Sequence, residues 1–406
     1  MFDAKKARCS ERAPSSRALA LTMTCVCVGA SLAASLTAQQ RIVVDANNGV
    51  GTNFTTLPPA IAAAKDGDWV LVRPGRYQPF VTSKPLNVVA EVGAVIDSSP
   101  ANGRVEIKDL KVGQRFLLAG FIFDNTNVMV QRCQGLVNLS GLATNKIVSS
   151  GNALNVDESD DVVVHGCALK YAILRHSNVQ VSDCIFATSG IPDVLGTPGI
   201  RLVGAKLSLT ACTVVGGSAG ARGAAAAGIQ VDVDSGTGAR VSSLRIFGDA
   251  STAIAGGVLA SSTQLPALQD RSQMASLELD PRVALQGGAD GFATTTMLRG
   301  FSLSCGYSFI GHSATLRLVR KAEQVAAIFL SKQSNKVSLP GLGAWYLDLS
   351  LQFVVAATGF PNGDSFVGIV TLPALPALQG LEIGYQAVGV DQGAATISNP
   401  VLQVLR

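Results

Sequence analysis

Val128-Met-Val130-Gln-Arg-Cys133, Val162-Val-Val164-His-Gly-Cys167, Val179-Gln-Val181-Ser-Asp-Cys184 and Leu207-Ser-Leu209-Thr-Ala-Cys212 repeat one pattern. An apolar residue, any residue, a second apolar residue and two more lead to a cysteine. Cys167 and Cys184 lie 17 residues apart, Cys133 and Cys167 lie 34 apart, and Cys184 to Cys212 is a longer step of 28. A recurring step of this kind predicts a solenoid, because each short strand buries one face only by stacking on its neighbours. The strands are expected to be parallel, roughly 4.8 Å apart, with the valines, leucines and cysteines in ladders inside a tube.

Working outward, Arg41-Ile-Val-Val-Asp45 reads as a first strand and Phe54 to Lys65 as a short helix that Thr56 can cap, with Pro58 or Pro59 in its first turn. The helix would cover the open end of the first coil, where edges and core side chains are otherwise unprotected. Trp69 to Val72, Tyr77 to Val81, Asn87 to Ile96, Val105 to Leu110 and Phe116 to Phe123 continue the coils. Gly216 to Gly228 is a low-complexity loop, and Ile229 to Val233, Val241 to Phe247 and Ile254 to Leu259 follow it. Pro266, Pro281 and Gly287-Gly288 interrupt the pattern and predict a linker or end cap. Beyond it, seven apolar runs separated by Gly- and Pro-rich turns predict a small β-sandwich. The expected organisation is a leader over 1–38, a right-handed parallel β-helix over 39–262, a linker or cap over 263–290 and a sandwich over 291–406.

Residues 42–81 carry a strand, a turn, Phe54-Thr-Thr-Leu, Ala60-Ile61 and Asp66-Gly-Asp-Trp-Val-Leu-Val-Arg-Pro-Gly-Arg-Tyr77. This stretch resembles the opening of the secreted right-handed parallel β-helix proteins of the pectate-lyase-like superfamily. The resemblance implies the fold and not an activity. The end of the chain, with Leu339-Pro-Gly-Leu-Gly343, Leu381-Glu-Ile-Gly-Tyr-Gln-Ala387 and Ser398-Asn-Pro-Val401, resembles a C-terminal module of secreted bacterial multidomain proteins.

The 406 residues are 48% hydrophobic and only 5% aromatic, which predicts cores of Val, Leu, Ile and Ala. The formal charge of +4 comes largely from Lys5, Lys6, Arg8, Arg12 and Arg17 set against Asp3 and Glu11. No basic run remains to bind nucleic acid. That basic opening precedes an uncharged run, Ala18 to Ala34, then Ser35-Leu-Thr-Ala38, the layout of a secretory signal peptide cleaved after Ala38 or near Ser35; a retained anchor is the alternative. The mature chain is expected outside the cell or in the periplasm, with no membrane segment. Three cysteines leave with the leader; Cys133, Cys167, Cys184 and Cys212 are expected to be inward, unpaired fillers. The absence of a CxxC pair argues against zinc.

Chemistry candidates are few. Asp157-Glu158-Ser-Asp160-Asp161 is either a calcium site or a solvated turn, and calcium is the one cofactor the sequence points to. Asp232 and Asp234 alternate with valines, which on a strand would place two carboxylates about 6.6 Å apart, near the separation glycosidases use; the alternative is a solubilising pair. His165, Lys170, Arg175, His176 and Arg201 are the basic groups of the middle coils. In the superfamily's lyases an Arg or Lys removes the proton beside a uronate carboxylate with the help of calcium, so the resemblance marks Lys170 and Arg175. The fuller lyase, polygalacturonase and pectin-esterase motifs are absent, as are a Walker loop and a nucleophile elbow. The expectation is a non-catalytic protein that binds extracellular polysaccharide or belongs to the envelope or matrix. The alternative is a lyase or hydrolase of uronic-acid-rich glycans.

Overall fold

The computed structural model describes residues 40–98, 103–144, 153–188, 196–218, 225–235, 239–248, 252–259, 261–298, 302–305, 313–319, 325–339, 343–347, 354–359, 365–371, 382–391, 394–398 and 401–404. The expected leader lies outside these residues, as do residues 219–224 of the Gly216–Gly228 loop. The long segment is a right-handed parallel β-helix with three sheets, A, B and C, of 11, 9 and 9 strands. From Trp69–Val72 onward the chain visits them in the order A, B, C; before it, Arg41–Val44 and Trp69–Val72 are successive strands of sheet A. Asp161–His165 (A) leads to Ala168–Leu169 (B) and Tyr171–Arg175 (C), and Asn178–Ser182 then stacks on Asp161–His165.

Alternation within each strand decides what lies inside. In sheet A the pairs Val137/Leu139, Val162/Val164, Val179/Val181 and Leu207/Leu209 stack in register and are buried, each at 3% exposure or less. One continuous apolar core runs from Ile42 to Val283. Its residues are aliphatic because a parallel ladder repeats the same slot about every 4.8 Å, and stacked β-branched side chains fill it.

The four cysteine repeats are not all one ladder. Val128–Val130 belongs to sheet C, between Val105–Ile107 and Leu154–Val156, whereas the other three repeats belong to sheet A. Cys133 therefore sits at the corner between C and A, and Cys167, Cys184 and Cys212 at the corner between A and B. Both corners use the same device: a left-handed residue follows the strand and the next side chain turns inward. Asp109, Arg132, Glu158 and His176 take φ of 47–57° after sheet C, and Gly166, Asp183 and Ala211 take 52–60° after sheet A. Nor is the step fixed. Val162 to Val179 is 17 residues, but Val137 to Val162 is 25 and Leu207 to Leu244 is 37.

All four of these thiols are free and buried, as expected. The corner carries them as hydrogen-bonding groups as well as filler. The Cys167 N–H donates to Cys184 Sγ at 3.2 Å, and the Leu142 N–H to Cys167 Sγ at 3.4 Å. The serines at the other corner do the same: the Cys133 N–H donates to Ser159 Oγ and the Ser159 N–H to Ser177 Oγ, both at 3.1 Å.

The helix Leu57–Ala63 closes the first coil, burying Leu57, Ala60 and Ile61 against the terminal strands Arg41–Val44 and Val81–Thr82. Thr56 is its N-cap residue but makes no side-chain capping bond. The stronger device is at the other end. Lys84 Nζ donates to the carbonyls of Ile61, Ala62 and Ala64 at 3.1, 2.6 and 2.7 Å, meeting the unpaired acceptors and the negative end of the helix dipole.

Residues 263–290, expected as a linker or cap, form instead most of the last coil. Leu268–Asp270, Ser276–Leu279, Ala284–Gln286 and Ala289–Asp290 pair in register with the preceding coil, and Thr294–Met297 extends sheet A once more. Pro266, Pro281 and Gly287-Gly288 punctuate its corners, while Leu268 and Leu277 keep the inward slots. The sandwich strands begin at Ser302–Cys305, in antiparallel sheets of three and six strands. Val354–Gly359 and Ala394–Ile397 are strands the apolar runs did not show. The C-terminal strands lie on the outer face of sheet A: Val401–Val404 against Leu136–Ser140 and Asp161–His165, and Ser302–Cys305 against Lys206–Thr210. This explains an outward row that is nevertheless buried, namely Leu117, Leu136, Asn138, Val163 and His165.

Candidate functional site

The three outer faces differ in what they offer. The middle of sheet A is covered by the C-terminal strands. Sheet B has strands of two to four residues whose outward row begins with Arg76, paired with Asp97 and Asp124, and then runs through the apolar Val95, Ile122, Ala143, Ala168 and Ile185 to Thr213. Sheet C combines five-residue strands with an outward row that is largely polar and partly exposed in the middle coils.

That face is built from alternation. In Arg104–Lys108 the sequence Arg-Val-Glu-Ile-Lys sends Val105 and Ile107 inward and the three charged residues outward. Glu106 is 7% exposed and accepts from Arg104 Nε at 3.0 Å, with Lys108 Nζ at 3.5 Å. The next strands place Asn127, Met129 and Gln131, then Asn155 and Asp157, then Tyr171, Ile173 and Arg175 in the same columns. Arg201 follows Ile173, and Gln230 follows Arg201. Arg201 pairs with Asp232, whose second oxygen accepts from Gln230 Nε2 at 2.8 Å.

The structure brings some sequence candidates together and separates others. Asp157 and Arg175 are ladder partners on neighbouring strands. Lys170 stands before the opposite end of the strand Tyr171–Arg175, roughly 16 Å from Arg175 along the strand. It is only 5% exposed, and burial pushes its pKa down. Glu158 occupies the left-handed corner position, Asp160 is exposed beyond buried Ser159, and Asp161 opens the next sheet A strand. The acidic run thus spreads around a corner. Among the described residues, no group of three or more His, Cys, Asp or Glu side chains converges as metal ligands would.

Asp232 and Asp234 do not share a strand, since Ile229–Asp232 ends at the first of them. They have different partners. Asp234 Oδ2 lies 2.9 Å from His176 Nε2 and accepts from the Arg240 N–H at 2.8 Å. This His176–Asp234–Arg240 group ties the 232–240 loop to the corner, with Arg240 Nη1 donating to the His176 carbonyl at 3.3 Å. At the corner of an earlier coil, the Arg132 side chain grips Asp109 through two hydrogen bonds of 2.8 and 3.2 Å and holds its carboxyl below the ordinary range. His165 is turned away from any exposed face, with Nδ1 3.0 Å from Ser182 Oγ under the C-terminal strands.

Sequence reading missed the Arg104–Glu106–Lys108 group, although its charge alternation within one strand was the signal. Arg240 carried none, because its role depends on a loop returning to a corner two coils earlier. A lyase centre requires a base and cation-holding carboxylates around one point. Here Lys170 stands apart at the far end of its strand, while Asp157, Arg175 and Asp232 share one column of sheet C with Val203 between the last two, and Arg201 is paired with Asp232; among the described residues no third acidic group converges on them. The arrangement suits contact with a long polar chain laid across the strands. No protein-family model matches this chain, and no curated protein matches it.

Proposed function

We propose that the protein is a secreted, non-catalytic binder of extracellular polysaccharide, using the outer face of sheet C. The observation that carries this reading is the column Gln131, Asp157 and Arg175, repeated at the strand spacing of about 4.8 Å on the outer face of sheet C, with Asn127, Asn155 and Arg201 in the neighbouring columns. Side-chain amides both donate and accept, which suits the hydroxyl groups of a glycan. Tyr171, half-buried in the same face, supplies an apolar surface for a sugar ring. The leader-like opening supports secretion, and the resemblance of residues 42–81 supports kinship with the pectate-lyase-like superfamily. The resemblance of the chain's end to a C-terminal module of secreted bacterial proteins supports an envelope or matrix setting.

A panel of immobilised polysaccharides, acidic and neutral, tests this. Retention of the secreted chain is expected, with at least about tenfold weaker binding for a Gln131→Ala/Asn155→Ala/Arg175→Ala variant. No retention on any polymer, or retention indifferent to the variant, refutes it. The depressed pKa of Lys170 favours a lyase as the second reading, since a base must shed its proton. Its mark is a rise in ultraviolet absorbance from unsaturated products of polygalacturonate or alginate with calcium, lost in Lys170→Ala. We expect no rise.

A further inference from the structure

The two ends of the solenoid are finished differently. The first coil is closed by the helix Leu57–Ala63, whereas the last coil ends in three strands, Ala284–Gln286, Ala289–Asp290 and Thr294–Met297, each paired on one side only. In the coil before, the inward residues Ile254, Leu268 and Leu277 are buried at 0–1% exposure. Their ladder successors Ala289 and Thr295 are exposed, Met297 is 60% exposed, and Leu285 and Phe292 are only partly covered. Among the described residues nothing lies over this end, because the C-terminal strands fold back onto the middle coils.

We propose that this open end docks a second copy of the chain, tail to tail, about a two-fold axis. A triangular rim of three unpaired strand edges is complemented in shape and hydrogen bonding by another rim of the same spacing. The chain has two such ends and its helix closes one, so a head-to-tail stack is blocked and the closed, self-complementary contact remains. With the axis normal to sheet A, Thr294–Met297 lies antiparallel to its own copy, and the edge of sheet B faces the edge of sheet C. Threonine opposite threonine is a favourable cross-strand pair. That arrangement also keeps Asp290, the one charged residue of the three strands, away from its counterpart. Edge strands that stay single are kept very short or carry charge, proline or a bulge as a guard; here the guard is shortness, three, two and four residues, with Asp290 the one charge. The strands Ala284–Gln286, Ala289–Asp290 and Thr294–Met297 contain no lysine or proline.

Sedimentation velocity on the secreted chain, over a series reaching about 100 µM, tests the proposal. We expect twice the chain mass at high concentration, and at least about tenfold weaker association for Met297→Lys and for Ala289→Lys measured separately. Both positions are exposed in the single chain, so thermal midpoints at high dilution should equal that of the unsubstituted protein. The two lie on different strands, so misfolding of one variant leaves the other decisive. A chain that stays monomeric throughout, a dimer untouched by both substitutions, or an open-ended polymer would each overturn the two-fold tail contact.

Discussion

Val164 and Gln180 lie on adjacent strands of sheet A and face opposite ways, Val164 fully buried and Gln180 half-exposed. Val164→Asp places a charge in an apolar ladder and is expected to cost about 3–5 kcal/mol, read from the denaturant midpoint, while Gln180→Asp stays within about 1 kcal/mol. Equal losses would mean the ladder faces the other way. The corners give a gentler case. Ser159 Oγ donates to the Asp157 carbonyl at 2.9 Å, as the Cys133 thiol reaches the Gln131 carbonyl at 3.5 Å, so Cys133→Ser should cost no more than about 1 kcal/mol in the same assay. Burial raises the Cys184 thiol pKa well above its ordinary value near 9. The sign follows: the unfolded chain gives up this proton first as pH rises, so the Cys184 contribution is full below about pH 9 and shrinks above it. Lys170, whose folded pKa is lowered, works in the opposite sense below pH 10.5. The difference in unfolding stability between the native chain and Cys184→Ser should therefore narrow above pH 9, and a difference constant from pH 7 to 10.5 would contradict the buried thiol ladder.

At the scale of elements, the capping helix depends on a residue outside it. Lys84→Ala leaves three helix-end carbonyls without their ammonium donor, and a loss of about 1–3 kcal/mol is expected in thermal or chemical unfolding, against a few tenths for Thr56→Ala, whose hydroxyl caps nothing. The reverse ranking would refute this account of the cap. Individual strands were legible in the sequence because period-two alternation is local: Val162-Val-Val164, Val179-Gln-Val181 and Leu207-Ser-Leu209 all show it. Assigning strands to sheets was not. A strand of sheet C and a strand of sheet A end alike, in a left-handed residue followed by an inward side chain, so Cys133 reads as a member of a ladder it does not join. The last coil was misread for a related reason, since Pro266, Pro281 and Gly287-Gly288 look like breaks when they are corners. Candidate residues such as Arg175, Asp157 and Asp232 could be named from the sequence, but their neighbours depend on coil lengths that vary from 17 to 40 residues between partners.

For the whole molecule, what matters is which face each part leaves open. The C-terminal strands cover the middle of sheet A, and Val163 with Leu136 forms a small apolar cluster beneath them. Val163→Asp should therefore release those strands while the solenoid stays folded, giving a protease-resistant fragment ending near Met297; a fully unfolded chain or unchanged digestion would contradict that docking. The polar face of sheet C is then what remains for a ligand. Met129, Tyr171 and Ile173 stand on it with side chains that hydroxyl radicals modify readily, and Ile185, 51% exposed on sheet B, serves as an internal control. The most direct test of the proposed binding is radical footprinting of the chain over residues 39–406 with and without any polysaccharide found to retain it. Protection of Met129, Tyr171 and Ile173 with Ile185 unchanged is the predicted result, and protection that spares the first three or falls on Ile185 instead would contradict binding on sheet C.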